Sequence, residues 1–405
     1  MKKIINLYVR LIFTLGLAEA FFFAIYQLFL INRGLNLLQI GLVNLVFMIC
    51  NFIFEVPTGA FADIYGRRRS TIIGGAILSL SYLIYFLSNG FWIFILAEVV
   101  GSLGVTFISG ALEAWMIDSL KVYDYSQSQL EKVYRREGLF KTAGVMIGSL
   151  IGAYFGNINL ALPWLLSAIG VAIFTLIVWF KLKENYPRPK IVEHNYKQII
   201  SKAREGIAYG LNHKGILYII IFNTLLILSW QGLNMQWPIL FKNHGLNVFQ
   251  LGLIFNGIAL FVLGGNLLAV KIKSLIEKSA LNEEAKTAWE KKILILSQAV
   301  TAIGILIAAL NFNLGLALGA FLIHEVGRGA FDPLKKAYLN RRITLDNSRA
   351  TVLSFSSMVG QLGAGAGLII SGYLANSFSI TVSWLFSAGL IIIAIPVFLK
   401  LKNGK

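Results

Sequence analysis

Twelve stretches of this 405-residue chain are apolar for long enough to cross a bilayer, and no other feature constrains its fold as strongly. A helix needs about 20 residues to cross about 30 Å of hydrocarbon. The stretches lie at 11–31, 39–61, 71–88, 91–117, 139–156 and 160–180, then at 215–240, 248–270, 293–310, 314–331, 351–374 and 379–399. They are continuously apolar rather than alternating. They therefore read as helices and not as barrel strands, because lipid offers no partner for an unsatisfied backbone N–H or C=O. With 57% hydrophobic and 14% charged residues, the chain lacks the polar surface of a soluble globule. The expected class is an all-α, polytopic membrane protein.

A formal net charge of +17 would ordinarily raise nucleic acid as a partner, but topology accounts for it. With the N-terminus placed inside, 33 of the 36 Lys and Arg fall at the inner ends of the stretches, leaving Arg33, Lys242 and Arg328 elsewhere. That is the positive-inside bias. It predicts a multi-pass protein of the cell (cytoplasmic) membrane with both termini cytoplasmic and no nucleic-acid partner. The Met-Lys-Lys start is followed by too long an apolar run, and no Ala-x-Ala site, for a cleaved leader, so it reads as the uncleaved first span. The single Cys50 lies within the second span and reads as a small core residue.

The turn after the first span recurs 211 residues later. Asn32-Arg-Gly-Leu-Asn-Leu-Leu-Gln-Ile-Gly-Leu42 matches Asn243-His-Gly-Leu-Asn-Val-Phe-Gln-Leu-Gly-Leu253 at seven of eleven positions. Six spans separate the copies, and an even number preserves orientation. The halves are therefore expected as parallel repeats: residues 1–180 as one six-helix bundle and 215–405 as the other. Residues 181–214 between them read as a cytoplasmic linker. Pro187 and Pro189 stiffen it, and Tyr196, Ile199, Ile200, Ala203, Ile207 and Leu211 share one face of an amphipathic helix.

Between spans two and three stands Gly59-Ala-Phe-Ala-Asp63-Ile-Tyr-Gly66-Arg67-Arg68-Arg69. Gly59 and Gly66 suit a tight turn and close helix approach, and Asp63 is placed to pair with Arg67. The motif resembles the signature of the major facilitator superfamily. Together with the preceding Glu55-Val-Pro57-Thr58-Gly59, it resembles bacterial drug and metabolite exporters of that family. The resemblance implies twelve transmembrane helices in two parallel six-helix bundles and a cytoplasmic latch of Gly59, Asp63, Gly66, Arg67 and Arg68 with Asp118 on span four. Ile64 departs from the family's usual basic residue. Pro57 removes a backbone donor and predicts a bend, and Glu55 reads either as its support or as a proton carrier.

Gly144, Gly148, Gly152 and Gly156 recur every four residues in span five and form a groove for another helix. The run is similar to the family's antiporter signature, but Ser149 and Ala153 replace its proline and last glycine. Packing alone explains the glycine face equally well. Gly360, Gly363 and Gly367 repeat the pattern in span eleven.

Five acidic residues lie within spans: Glu19, Glu55, Glu98, Glu113 and Glu325. Each costs at least about 2.5 kcal/mol at a bilayer centre unless protonated, paired or wet. The resemblance implies a solute cavity lined by spans one, four, seven and ten. Its candidate residues are Trp230, Gln231, Asn234, Gln236 and Trp237 on span seven, His324 and Arg328 on span ten, and Glu113 on span four. Glu19, Glu325, Glu55 and Glu98 are the candidate proton-coupling residues, with Glu19 and Glu325 favoured as nearest mid-span. Glu325 has a second reading, a permanent pair with Arg328. The family's proton-linked arginine is missing near Glu98.

No phosphate-binding loop is present, and the four His and one Cys are too scattered for a metal centre, so neither cofactor nor metal is expected. No nucleophile, base and orienter coincide, so an enzyme is not expected. The expectation is a monomeric secondary active transporter working by alternating access. Its partners are a small-molecule solute, protons and the lipid bilayer. Proton-coupled export of a small amphipathic organic compound is the first reading. Uptake or facilitated diffusion of a small polar or anionic solute is the second, and a receptor or scaffold that no longer cycles is the alternative from another class.

Overall fold

The computed structural model describes residues 1–123, 125–186, 214–310, 313–342 and 346–399. The expected linker helix, with Tyr196 to Leu211, lies outside these residues. The chain is all-helical among the described residues. The first half comprises α1 (Lys2–Ala20), α2 (Tyr26–Asn32), α3 (Leu37–Tyr65), α4 (Arg67–Leu87), α5 (Phe91–Lys121), α6 (Gln127–Ile158) and α7 (Leu162–Lys181). The second comprises α8 (Lys214–Asn243), α9 (Val248–Lys278), α10 (Glu283–Leu310), α11 (Leu314–Arg342), α12 (Asp346–Ser377) and α13 (Ile380–Leu399). The chain forms two compact units, Met1–Glu193 with Gly245–Asn256, and His194–His244 with Gly257–Lys405. The opening turns of α9, up to Asn256, thus belong with the first unit.

Eleven described helices are long and apolar enough to cross a membrane. The expected first span differs from the reading of one continuous helix. It is broken into α1 and α2 by tight turns at 21–25, where the Phe23 amide bonds Ala20 O at 3.2 Å and the Ile25 amide bonds Phe22 O at 3.0 Å. Lys2, Lys3, Arg10 and Glu19 leave α1 too charged to qualify by itself. Nothing in Ala-Phe-Phe-Phe-Ala-Ile-Tyr announces the break, and the chain on both sides of it packs against glycines of α6. A Cβ on Gly144 would sit 2.6 Å from the Phe13 carbonyl oxygen, and one on Gly148 or Gly152 would overlap the carbonyl of Leu17 or Phe21. Gly156 faces Ile25. Contacts advance four residues on each helix together, so α1 and α6 run in the same direction with backbones touching. In the second unit α12 meets α8 similarly, Gly367 facing Leu228 O and Gly363 facing Thr224.

Ser149 and Ala153 also have a local explanation. Both are buried, Ser149 Oγ accepts from Asn256 Nδ2 at 3.2 Å, and Ala153 seats against Gly252. The two copies of the repeated turn are built identically. Asn36 and Gln39 exchange backbone-to-side-chain bonds of 2.9 and 3.0 Å, and Asn247 and Gln250 exchange bonds of 2.9 and 2.8 Å. Gly34 and Gly245 both adopt φ 86°, a left-handed conformation that only glycine takes without strain. The helix α3 runs through Pro57 without interruption, so the expected bend does not break it.

Candidate functional site

The break in the first span opens a cavity of about 450 Å³ within the first unit. It brings Glu19 at the end of α1, Phe22 and Phe23 in the break, and Tyr26 at the start of α2 onto one wall. Asn44 comes from α3, Tyr82 and Tyr85 from α4, Glu98 from α5 and Trp164 from α7, and Phe255 closes one side. Trp164 is clasped between Phe22 and Tyr85, each ring 4.0 Å away and within 9° of parallel. This three-ring column ties the broken span to α7 and α4.

Hydrogen bonds complete the hub. Tyr26 Oη donates to Glu98 Oε1 at 2.9 Å, Tyr85 Oη donates to the same oxygen, and Asn44 Nδ2 donates to Tyr26 Oη at 3.0 Å. A chain of polar contacts thus joins α3, α2, α5 and α4 through one carboxylate. Among the described residues Glu98 has no Lys, Arg or His in ion-pair reach. Two of the span acids, Glu19 and Glu98, therefore share this cavity. Tyr26, Tyr82, Tyr85, Asn44 and Trp164 were not anticipated as site residues. The only sequence signal for them was an unusual count of hydroxyl-bearing rings inside spans.

The residues of the glycine-punctuated motif meet at the basic end of the same unit. Arg67 pairs with Asp63 one turn earlier, and its Nε lies 3.9 Å from Asp118 Oδ2; Lys121 holds Asp118 Oδ1 at 2.9 Å. Gly66, at φ 105°, makes the turn between α3 and α4. Gly59, expected at a close approach, instead sits inside α3 with open space where a Cβ would be. Arg68 donates through its side chain to Trp179 O at 2.6 Å. Its backbone N–H donates to Glu184 Oε1, also at 2.6 Å, and the Glu184 carboxylate fills the space beside Gly66. Glu184 was hidden among the charges that follow span six. It supplies from outside what an N-cap side chain supplies from within, an acceptor at the positive end of α4. Glu184→Ala is expected to cost about 0.5–2 kcal/mol of stability, read as a lowered unfolding midpoint in detergent.

The sequence profile of the Major Facilitator Superfamily matches residues 11–278 and 287–405. The chain belongs to this superfamily of transporters. It is 26% identical over 389 residues to the uncharacterized MFS-type transporter YxaM of Bacillus subtilis, covering 95% of this chain and 92% of the relative. It is 22% identical over 372 residues to Multidrug resistance protein 2 of the same organism, covering 90% and 86%. In structure it resembles the nucleoside transporter NupG, with a TM-score of 0.78, 14% identity, and 99% and 100% of the two chains covered.

The second unit of this facilitator-superfamily chain holds the other residues expected of a cavity wall. Gln236 and Trp237 are buried, Gln236 Nε2 donating to Ser371 O at 3.0 Å and Trp237 lying against Phe321. Trp230 meets Phe331 edge-on, and Gln231 Nε2 reaches back to Ile227 O at 3.4 Å. His324 is sealed, its Nδ1 on the Phe321 carbonyl. Glu325 is buried and holds Arg328 Nε at 2.5 Å, while Arg328 NH1 donates to exposed Asn234 Oδ1 at 2.7 Å. This is the geometry of the permanent pair. Of the remaining acids, Glu113 is exposed and accepts from Tyr134 Oη at 2.8 Å, and Glu55 is exposed on α3 away from the cavity.

Proposed function

We propose that the chain is a secondary active transporter that exports a small amphipathic organic compound in exchange for protons, by alternating access to the cavity of the first unit. One observation carries this reading: two carboxylates, Glu19 and Glu98, line one aromatic cavity, and Glu98 has no cationic partner among the described residues. A cavity of this size falls within the range of about 300–1,000 Å³ that small-molecule sites occupy. An unpaired carboxylate in such a place is unstable as an anion and takes up a proton or a cationic solute. The Multidrug resistance protein among the relatives agrees with export. Under this reading the basic ends of the spans face the cytoplasm of a cell-membrane protein, and Asp63, Arg67, Arg68, Gly66 and Asp118 hold that side closed in one state. Residues 1–180 and 215–405 move as the two bundles of a monomer about the linker at 181–214.

The second reading, uptake or facilitated diffusion of a polar or anionic solute, is favoured by Arg328, whose side chain is 21% exposed. The direction of proton movement separates the two. Liposomes containing the protein, a trapped pH dye and members of a solute panel are diluted into solute-free buffer, alongside protein-free liposomes. Exchange requires that each solute leaving bring protons in, so the lumen acidifies whichever way the protein is inserted. Alkalinisation would mean co-transport, and solute loss without a pH change would mean facilitated diffusion. Either result would overturn the exporter proposal.

A further inference from the structure

The cavity lining contains Glu19 and Glu98 and no Lys, Arg or His. The two acids are not equivalent. Lys141 on α6 lies close enough to Glu19 to offset part of its charge, whereas the direct partners of Glu98 are neutral phenols. The hydrogen-bond arithmetic around Glu98 is complete. Asn44 donates to the Tyr26 oxygen, so the Tyr26 hydrogen is directed to Glu98; Tyr85 adds a second donor; both end on Oε1. Among the described residues no donor reaches Oε2, so its lone pairs stay open in a cavity lined by aromatic rings. Both faces of Trp164 are occupied by Phe22 and Tyr85, so a flat guest lies instead against Phe23, Phe47 and Phe255.

Resting on the reading of this cavity as the solute site, we propose that the solute is an organic ammonium ion bearing at least one N–H, docked on Glu98 Oε2. Tyr26 and Tyr85 act as positioning residues that set this specificity by occupying Oε1. A charge-assisted N–H···O bond to a desolvated carboxylate is stronger than a contact between the same carboxylate and a cation lacking a donor. Ring faces add cation–π attraction for any cation, so they favour positive charge without choosing between ammonium types. The choice falls to the one open oxygen.

The test uses the purified full chain and isothermal titration calorimetry at pH 7 with four probes of one shape. These are 1-naphthylmethyl-dimethylamine, its trimethylammonium analogue, 1-naphthylmethanol and 1-naphthoate. The amine is expected to bind at least about tenfold more tightly than the trimethylammonium ion, and the alcohol and the anion more weakly still. Glu98→Gln should erase the preference of amine over alcohol. The double variant Tyr26→Phe with Tyr85→Phe keeps both rings and frees Oε1. It should narrow the ratio between amine and trimethylammonium affinities, which a merely structural role would leave unchanged, and it serves if Glu98→Gln fails to fold. Equal or tighter binding of alcohol or naphthoate, a preference that survives Glu98→Gln, or no binding by any probe would overturn the ammonium proposal. The exporter reading is decided separately by acidification of the liposome lumen, which does not depend on these four compounds.

Discussion

Gly152→Ala is expected to be strongly destabilising, the most so of the glycine-to-alanine exchanges among the described residues. The new Cβ would occupy the position of the Phe21 carbonyl group, so backbone and not a flexible side chain must yield. Overpacking in a tight interior costs about 1–3 kcal/mol, and more where the obstacle is backbone. The expected results are a large fall in the unfolding midpoint in detergent and a loss of folded yield. Gly138→Ala on the same helix is the control, since nothing lies within 4 Å of its Cβ position and the residue is exposed. There the exchange should be neutral or slightly stabilising, because alanine is the better helix former. Equal effects at both positions would mean that the α1–α6 contact does not hold the broken span in place. The consequence extends to function, since Gly152 touches the segment that carries Phe22 and Phe23 into the cavity.

The same contact shows what the sequence makes legible and what it does not. Local patterns were readable: the glycine run of α6, the Asp63–Arg67 spacing on successive turns, and the paired Asn-x-x-Gln caps at Asn36 and Asn247. Each of these is a short pattern whose own members recur about one helical turn apart. The break at 21–25 was not readable, because residues 20–26 contain no glycine or proline to mark it. The candidate site was half legible for a related reason. Glu19 and Glu98 stand out as acids inside apolar spans, but their meeting place requires α1 to end at Ala20 and Tyr85 to lie across from Tyr26. Conversely, the amide and indole groups of α8 looked like a binding wall because polar residues in spans are costly. In the structure Gln236 meets part of that cost through Nε2, which donates to the Ser371 carbonyl 135 residues away in sequence, while its Oε1 is buried without a hydrogen-bond partner among the described residues.

Glu98→Gln is expected to uncouple the transporter while leaving its fold intact. Glutamine matches the shape of a protonated glutamate, and its amide oxygen can accept from Tyr26 and Tyr85 as Oε1 does, so the four-helix hub keeps its bonds. What it cannot do is gain or lose a proton. A one-unit pH difference supplies about 1.4 kcal/mol per proton, or about tenfold in solute concentration. The variant should lose that accumulation and the accompanying change in lumen pH, and whatever solute still crosses should only run down its own gradient in the same liposomes. Glu325→Gln provides the contrast. It removes the negative charge from the acceptor that holds Arg328 Nε and leaves a partly buried guanidinium without its counter-ion, so its effect should fall on the unfolding midpoint rather than on the proton-to-solute ratio. The reverse pattern, with coupling lost in Glu325→Gln and retained in Glu98→Gln, would move the proton site to the second unit. A carboxylate tied to an arginine at 2.5 Å already has a positive partner whenever it is charged. One held by phenols, with no cation beside it among the described residues, has none, and for that physical reason Glu98 is the carboxylate expected to take the proton under the exporter reading.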